Sequence, residues 1–346
     1  MMDQIQTLPA EARALAESLQ SWIDVQKTQG FETKMHQALV GAIIFKPSIM
    51  IGLWQEIQTR KGQNTSDIAS NIYPLEAALR FIAQCLSVND WNSRLVIETV
   101  DNHHQELVEL AATRTMAKNL PLRAGFMLDL INQSNSIDPK RPLQIIELGA
   151  SAGLISTGLT QSQQFIEWFS QQKAVDSKVK QINSNLPHDI QAISIDLVPP
   201  ELNWVLACMD NDLMRQITQD FITRFPNRTP VVQGNALNFR EIIKSGGILE
   251  EKAQFLVIVS MFLYQLPTDA RTELMKQLHL FSQEKDALIL FADLFNTGPQ
   301  TDGWFAWIEN SANIVSPVIQ LHEEPIFSWQ ETEFLPDKQL TNFIKI

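Results

Sequence analysis

The feature that most restricts this chain begins at Pro142. From there, short apolar runs alternate with helix-length amphipathic stretches. The runs are Leu143–Glu147, Ile193–Asp196, Val231–Gly234, Phe255–Val259 and Ala287–Ala292. Helical candidates lie between them at Gly153–Gln164, Asp212–Phe225, Phe239–Leu249 and Thr268–Ser282. Strands that are apolar throughout are buried on both faces, and strand–helix alternation builds a parallel sheet. The pattern predicts an α/β domain over 141–346 with a mostly parallel sheet. Val315–Leu321 and Pro325–Trp329 predict an antiparallel hairpin at the sheet edge. The stretch from Glu167 to Pro187, rich in Gln, Lys, Asn and Ser, reads as an exposed helix and loop inserted after the first crossover.

Before Pro142 the texture is helical. Pro9–Thr28 carries Ala12, Leu15, Leu19, Trp22 and Ile23 at helical spacing, with Pro9 near the start, where a missing N–H costs nothing. Lys34–Phe45, Pro47–Arg60, Leu75–Leu86, His103–Lys118 and Leu122–Asn132 follow, and Ser66–Ala69 reads as a helix start. No strand is predicted here. Residues 1–132 are expected to form an all-helical domain or cap.

With 45% hydrophobic and 19% charged residues, the chain is expected to fold around a sizeable core. Its net charge of -12 repels polyanions, and no basic cluster offsets it, so no nucleic-acid partner is expected. Cys85 and Cys208 are far apart and in no CxxC pair, which predicts reduced thiols and no metal site. Neither a signal peptide nor a membrane span is read, so a cytoplasmic protein without a membrane partner is expected.

The most informative segment is Ile145–Leu154. An apolar strand meets the acidic Glu147, turns through Gly149, Ala150, Ser151 and Ala152, and opens into a helix at Gly153. Gly149 allows an unusual backbone angle and close approach to a ligand, and Gly153 allows tight helix–strand packing. Ligands of open α/β sheets sit beyond the carboxyl ends of the strands, which is where this turn lies. Glu147 in the turn is expected to repel a pyrophosphate and to suit a cationic ligand. S-adenosylmethionine, with its ammonium and sulfonium, is such a ligand.

Three later positions repeat the arrangement. Asp196 ends the second strand and resembles the acid that receives the ribose hydroxyls in methyltransferases, a role a carboxylate can fill by accepting both, although it also suits a turn ahead of Pro199 and Pro200. Asn235 and Ala236 follow the third strand, in a turn similar to the methyltransferase position that reads the adenine edge; the Asn235 amide suits that edge or an ordinary turn. Ser260 and Met261 end the fourth strand and are expected either beside the donor sulfur or in the core. Candidate catalytic residues are Tyr264, Asp293 and Glu309; no histidine stands out as a base. Trp304 and Trp307 line an acceptor pocket or anchor the core.

The pattern Glu-x-Gly-x-Ser-x-Gly over 147–153 resembles motif I of class I methyltransferases, with Ser151 where the middle glycine normally stands. Leu148–Leu154, Ile195–Pro199, Trp204–Asp210 and Arg215 together are similar to a bacterial family known only as a domain of unknown function with a methyltransferase-like C-terminal half. Pro47–Ser48 and Ala77–Arg80 match it in spacing. Cys208–Asp210 departs from that family's Trp-Pro-Asp segment, and Thr113–Met116 from its Thr-Asn-Glu segment. The resemblance implies a Rossmann-like, S-adenosylmethionine-binding sheet and no particular acceptor. Residues 65–85 weakly resemble the winged-helix dimerisation region of small-molecule O-methyltransferases, implying a homodimer.

The expected function is therefore methyl transfer to a small-molecule acceptor. The alternatives are a non-catalytic protein that keeps the fold for ligand binding or scaffolding, and a nicotinamide-dependent oxidoreductase.

Overall fold

A computed structural model describes residues 2–28, 33–62, 69–84, 87, 90–114, 116–117, 119–209, 211–246, 252–296, 302–322 and 327–332. The chain divides into two compact units, Met1–Lys118 with Pro200–Gln219, and Asn119–Pro199 with Asp220–Ile346. The division falls earlier than the 132–141 boundary expected from the sequence. It also returns a short segment after the second strand to the first unit.

The first unit is helical among its described residues. It holds α1 (Met2–Gln6), α2 (Ala10–Thr28), α3 (Lys34–Phe45), α4 (Pro47–Lys61), α5 (Ala69–Ile82) and α6 (Ser93–Thr113), with α10 (Leu202–Ala207) from the returning segment. Two helix ends show why these residues stop and start where they do. Gly62 closes α4 in the left-handed conformation at φ 65°, and the Asn92 side chain caps α6 by accepting Leu95 N–H. The helix start expected at Ser66–Ala69 lies largely outside the described residues, as does Cys85. Trp204 explains why α10 belongs with this unit. Its ring is buried edge-on to Phe81 at 5.7 Å, and the Arg114 guanidinium lies over both rings. No single helix among the described residues is long and apolar enough to cross a membrane; α3 and α4 meet at a 118° bend.

The second unit is α/β. Its eight-stranded sheet comprises β1 (Leu143–Leu148), β2 (Ile190–Asp196), β3 (Val231–Gln233), β4 (Gln254–Ser260), β5 (Leu288–Asn296), β6 (Asp302–Glu309), β7 (Ile319–His322) and β8 (Ser328–Glu331). The spatial order is β3-β2-β1-β4-β5-β6-β7-β8. The first five strands are parallel, and β6, β7 and β8 add on antiparallel. Chain order reverses between β1 and β4, so the loops after these two strands diverge and leave a crevice at their carboxyl ends.

Strict alternation along the buried strands sets their two faces. Ile146, Leu148, Ile193, Ile195, Val257, Val259, Ile289 and Phe291 join one core with Phe239 and Ile243 of α12 (Phe239–Ser245) and Leu274 and Leu278 of α13 (Thr268–Lys285). The remaining helices are α7 (Arg123–Ser134), α8 (Leu154–Thr160), α9 (Ser162–Ser170) and α11 (Asp212–Arg224), which begins in the first unit. The segment expected to be an exposed insertion, Glu167–Pro187, is anchored where it leaves α9, though much of its later part is exposed. Phe165, Trp168 and Phe169 on α9 are fully buried, Trp168 lies edge-on to Phe221 at 5.0 Å, and its indole N–H donates to Asp220 at 2.7 Å. The strand β6 was not foreseen either. It pairs along its whole length with β5, and Trp307 packs in the core on Phe291 at 5.4 Å.

Candidate functional site

The turn between β1 and α8 is built from left-handed residues. Gly149 (φ 65°), Ser151 (φ 51°) and Gly153 (φ 66°) alternate with Ala150 and Ala152, reversing the chain within five residues. Gly149 is required twice over, by its angle and by the Phe262 ring, which would lie 2.4 Å from an added Cβ. An added Cβ at Gly153 would sit 3.1 Å from Ser194 Oγ and Val231, the close packing expected of that glycine.

The turn is held by its neighbours. Ala150 N–H donates to the Ile195 carbonyl at 3.1 Å, Ser151 N–H to Asp196 Oδ2 at 2.7 Å, and Gly153 N–H to the Ala150 carbonyl at 2.9 Å. Asp196 Oδ1 accepts Val198 N–H at 3.1 Å, so one carboxylate organises the ends of both β1 and β2. Burial raises the Asp196 pKa, against the opposing pull of these two N–H donors. The Asp196 carbonyl accepts Gly234 N–H at 2.8 Å, which brings the third turn alongside. There Asn235 Oδ1 accepts Leu237 N–H at 2.9 Å, and Ala236 is buried. Asn235 is thus a turn cap, its side-chain oxygen accepting one backbone N–H.

Glu147 is placed differently from the expectation. The strand runs one residue further, to Leu148, and alternation turns Glu147 away from the crevice onto the face covered by α8. It is 1% exposed, and Oε2 accepts Ser156 N–H at 3.1 Å, the Ser156 hydroxyl, and the Ser194 hydroxyl at 3.2 Å. Burial pushes its pKa up to about 7, with these hydrogen bonds opposing and the Asp196 charge adding to the rise. In this position it ties α8 to β1 and β2. The acid beside the turn is Asp196.

At the end of β4, Ser260 is 7% exposed and Met261 adopts φ 53° with its N–H on the Ala292 carbonyl at 2.7 Å. Asp293 holds this turn. One oxygen, Oδ2, accepts Phe262 N–H at 3.0 Å and Leu263 N–H at 2.6 Å. The candidate Asp293 is therefore at the right end of the sheet but engaged in shaping it. Tyr264 falls in the short turn Leu263–Gln265, and its side chain lies outside the described residues. Glu309 does not join the site. It pairs in register with Ile289, at the opposite end of β5 from Asp293, and accepts the Trp307 indole N–H at 3.1 Å.

Asn119 belongs to the site and was not foreseen. It is 4% exposed, and its Nδ2 donates to the Ala150 carbonyl at 2.7 Å. Among the described residues, Asn119 Oδ1, Ser151 Oγ and Ser260 Oγ are buried polar atoms without a hydrogen-bond partner. Asn119 reaches the β1–α8 turn through Ala150, Ser151 lies in that turn, and Ser260 ends β4, so the three atoms belong to segments at the carboxyl ends of β1 and β4. Nothing in the sequence around Asn119, a lone amide ahead of Pro121, marks it out.

No protein-family model matches the chain, and no curated protein is significantly similar to it. The family resemblance read from Leu148–Leu154 and Ile195–Pro199 accordingly rests on those residues alone.

Proposed function

We propose that the second unit binds S-adenosylmethionine over the β1–α8 turn and transfers its methyl group to a small-molecule acceptor. The observation that carries this reading is that Asn119 Oδ1, Ser151 Oγ and Ser260 Oγ are buried without a partner on segments tied to the ends of β1 and β4, where the strand order reverses and Asp196 holds the turn. The order 3-2-1-4-5 is that of nucleotide-binding doubly wound sheets, whose ligands occupy this crevice. We read the sheet as a Rossmann-like methyltransferase sheet on that basis.

The residues suit the cofactor's chemistry. Each Asp196 oxygen has one protein donor and a further lone pair, enough to accept a ribose hydroxyl. Asn119 Oδ1 is an acceptor suited to an ammonium. Bound S-adenosylmethionine would supply an electrophilic methyl group, and the protein's part is to hold the acceptor in line, so proximity and orientation provide most of the rate.

A pyrophosphate fits less well. The N–H groups of Ala150, Ser151 and Gly153 are already bonded within the protein, and the Asp196 carboxylate touches the turn. This argues against the nicotinamide reading. The engagement of Asp293 by two N–H groups favours one alternative, a fold kept for ligand binding without turnover.

Calorimetric titration with S-adenosylmethionine and S-adenosylhomocysteine tests the proposal. Micromolar binding to the wild-type chain, lost in Asp196→Ala, is expected. A folded chain that binds neither compound overturns it.

A further inference from the structure

The first unit contains a buried arginine whose donors are unmet. Arg80 lies on α5, 1% exposed, and its Nε and Nη2 have no hydrogen-bond partner among the described residues. No ion pair among those residues includes it. Arg123, also buried, does have a partner. Arginine cannot shed its charge to escape burial as lysine can, and a guanidinium removed from water with its donors unmet is strongly unfavourable.

The two unmet atoms are neighbours. Nε–H and Nη2–H lie on one edge of the planar guanidinium and form the parallel fork that receives both oxygens of a carboxylate or phosphate. The nearest acid by helical spacing is Glu76, one turn earlier; its Oε1 lies 3.4 Å from Nδ1 of His36 on α3 without a hydrogen bond between them, and no ion pair joins Glu76 to Arg80 among the described residues. A further turn back is Tyr73, whose ring meets Trp22 of α2 at 5.2 Å, and Trp22 lies 4.7 Å from the His36 ring. Trp22 and Tyr73 are only half-buried, so this cluster on the N-terminal side of Arg80 along α5 reaches the surface.

We propose that the helical unit carries an oxyanion site at Arg80, whose buried Nε and Nη2 donors take the carboxylate or phosphate group of a small ligand. The inference stands apart from the reading of the glycine turn and does not depend on it. Burial excludes competing water and makes the fork selective for a planar or tetrahedral oxyanion over a neutral amide.

The test uses extensively dialysed full-length protein at constant ionic strength, titrated with benzoate, malonate and inorganic phosphate, with benzamide as the neutral control. At least one oxyanion should bind saturably and benzamide should not. The one that binds distinguishes a carboxylate from a phosphate ligand. Arg80→Met should lose about tenfold or more in affinity, and Arg80→Lys, which keeps the charge without the fork, should lose affinity too. Ligand-free Arg80→Met should melt no lower than wild type, because it removes an unmet buried charge. The proposal fails if no oxyanion binds the wild-type chain, or if Arg80→Met binds as well. A clearly lower melting point for Arg80→Met also overturns it, since Arg80 would then have its partner within the protein.

Discussion

Asp196 Oδ2 accepts the backbone N–H of Ser151 at 2.7 Å, while its other oxygen accepts Val198 N–H at 3.1 Å. The left-handed Ser151 is thus held by the end of the neighbouring strand, and the shape of the crevice depends on a carboxylate that is also its main acidic group.

Asparagine at position 196 has one acceptor oxygen for two N–H donors. Asp196→Asn is expected to cost about 1–2 kcal/mol by leaving one of them unmet. It should also weaken S-adenosylmethionine binding about tenfold, because both ribose acceptors change together. Thermal melts and calorimetry check the two effects separately.

Gly149 and Phe262 are coupled by contact. An added Cβ at 149 meets the Phe262 ring and adopts φ 65°, so Gly149→Ala is expected to cost about 3 kcal/mol from overpacking and backbone strain. Phe262→Ala removes the ring but not the strain. A double-mutant cycle measured by chemical denaturation should therefore show about 1–2 kcal/mol of favourable coupling. Strict additivity would mean that the ring does not close over the turn.

Glu147 makes stability depend on pH in a direction opposite to most carboxylates. Its folded pKa, about 7, lies above the ordinary 4.5, so the folded state holds a proton that the unfolded state has released. Its contribution is fully present below about pH 4.5 and is lost as pH rises through about 7. Glu147→Gln keeps an acceptor for Ser156 and Ser194 without the charge. Relative to wild type it should gain on the order of 3 kcal/mol between these limits. Denaturation at pH 5 and pH 8 tests this; a gain that is equal at both pH values would rule out the shift.

How much of this was legible in the sequence depends on whether the signal was local. The runs at Ile145–Leu148 and Phe255–Val259 are apolar throughout, so strand type and order of appearance could be read directly. The glycines at 149 and 153 announced the turn, because only backbone demands put small residues at that spacing. Glu147 was misread because its facing depends on where the strand ends: one extra residue, Leu148, moves it from the crevice to the α8 face. The strand β6 escaped notice because Trp304–Trp307 reads equally as an aromatic patch, and its pairing with β5 is fixed by tertiary contact. Asn119 was invisible for a simpler reason. Its meaning comes from the Ala150 carbonyl, 31 residues away.

Asp293 and Glu309 offer a sharper separation of shaping from chemistry. Both Phe262 N–H and Leu263 N–H converge on one Asp293 oxygen, so Asp293→Asn can keep both bonds through its amide oxygen, whereas Asp293→Ala cannot. The asparagine variant is expected within about 1 kcal/mol of wild type, and the alanine variant about 2–3 kcal/mol below it with weakened cofactor binding. Glu309→Gln, at the far end of β5, should leave cofactor binding unchanged. Once an acceptor is found, turnover by Asp293→Asn decides the remaining role. Near-normal rates make Asp293 a positioning residue for the turn after β4. Intact binding with turnover abolished would instead make it the proton acceptor, with its carboxylate charge, rather than its geometry, as the group the reaction uses.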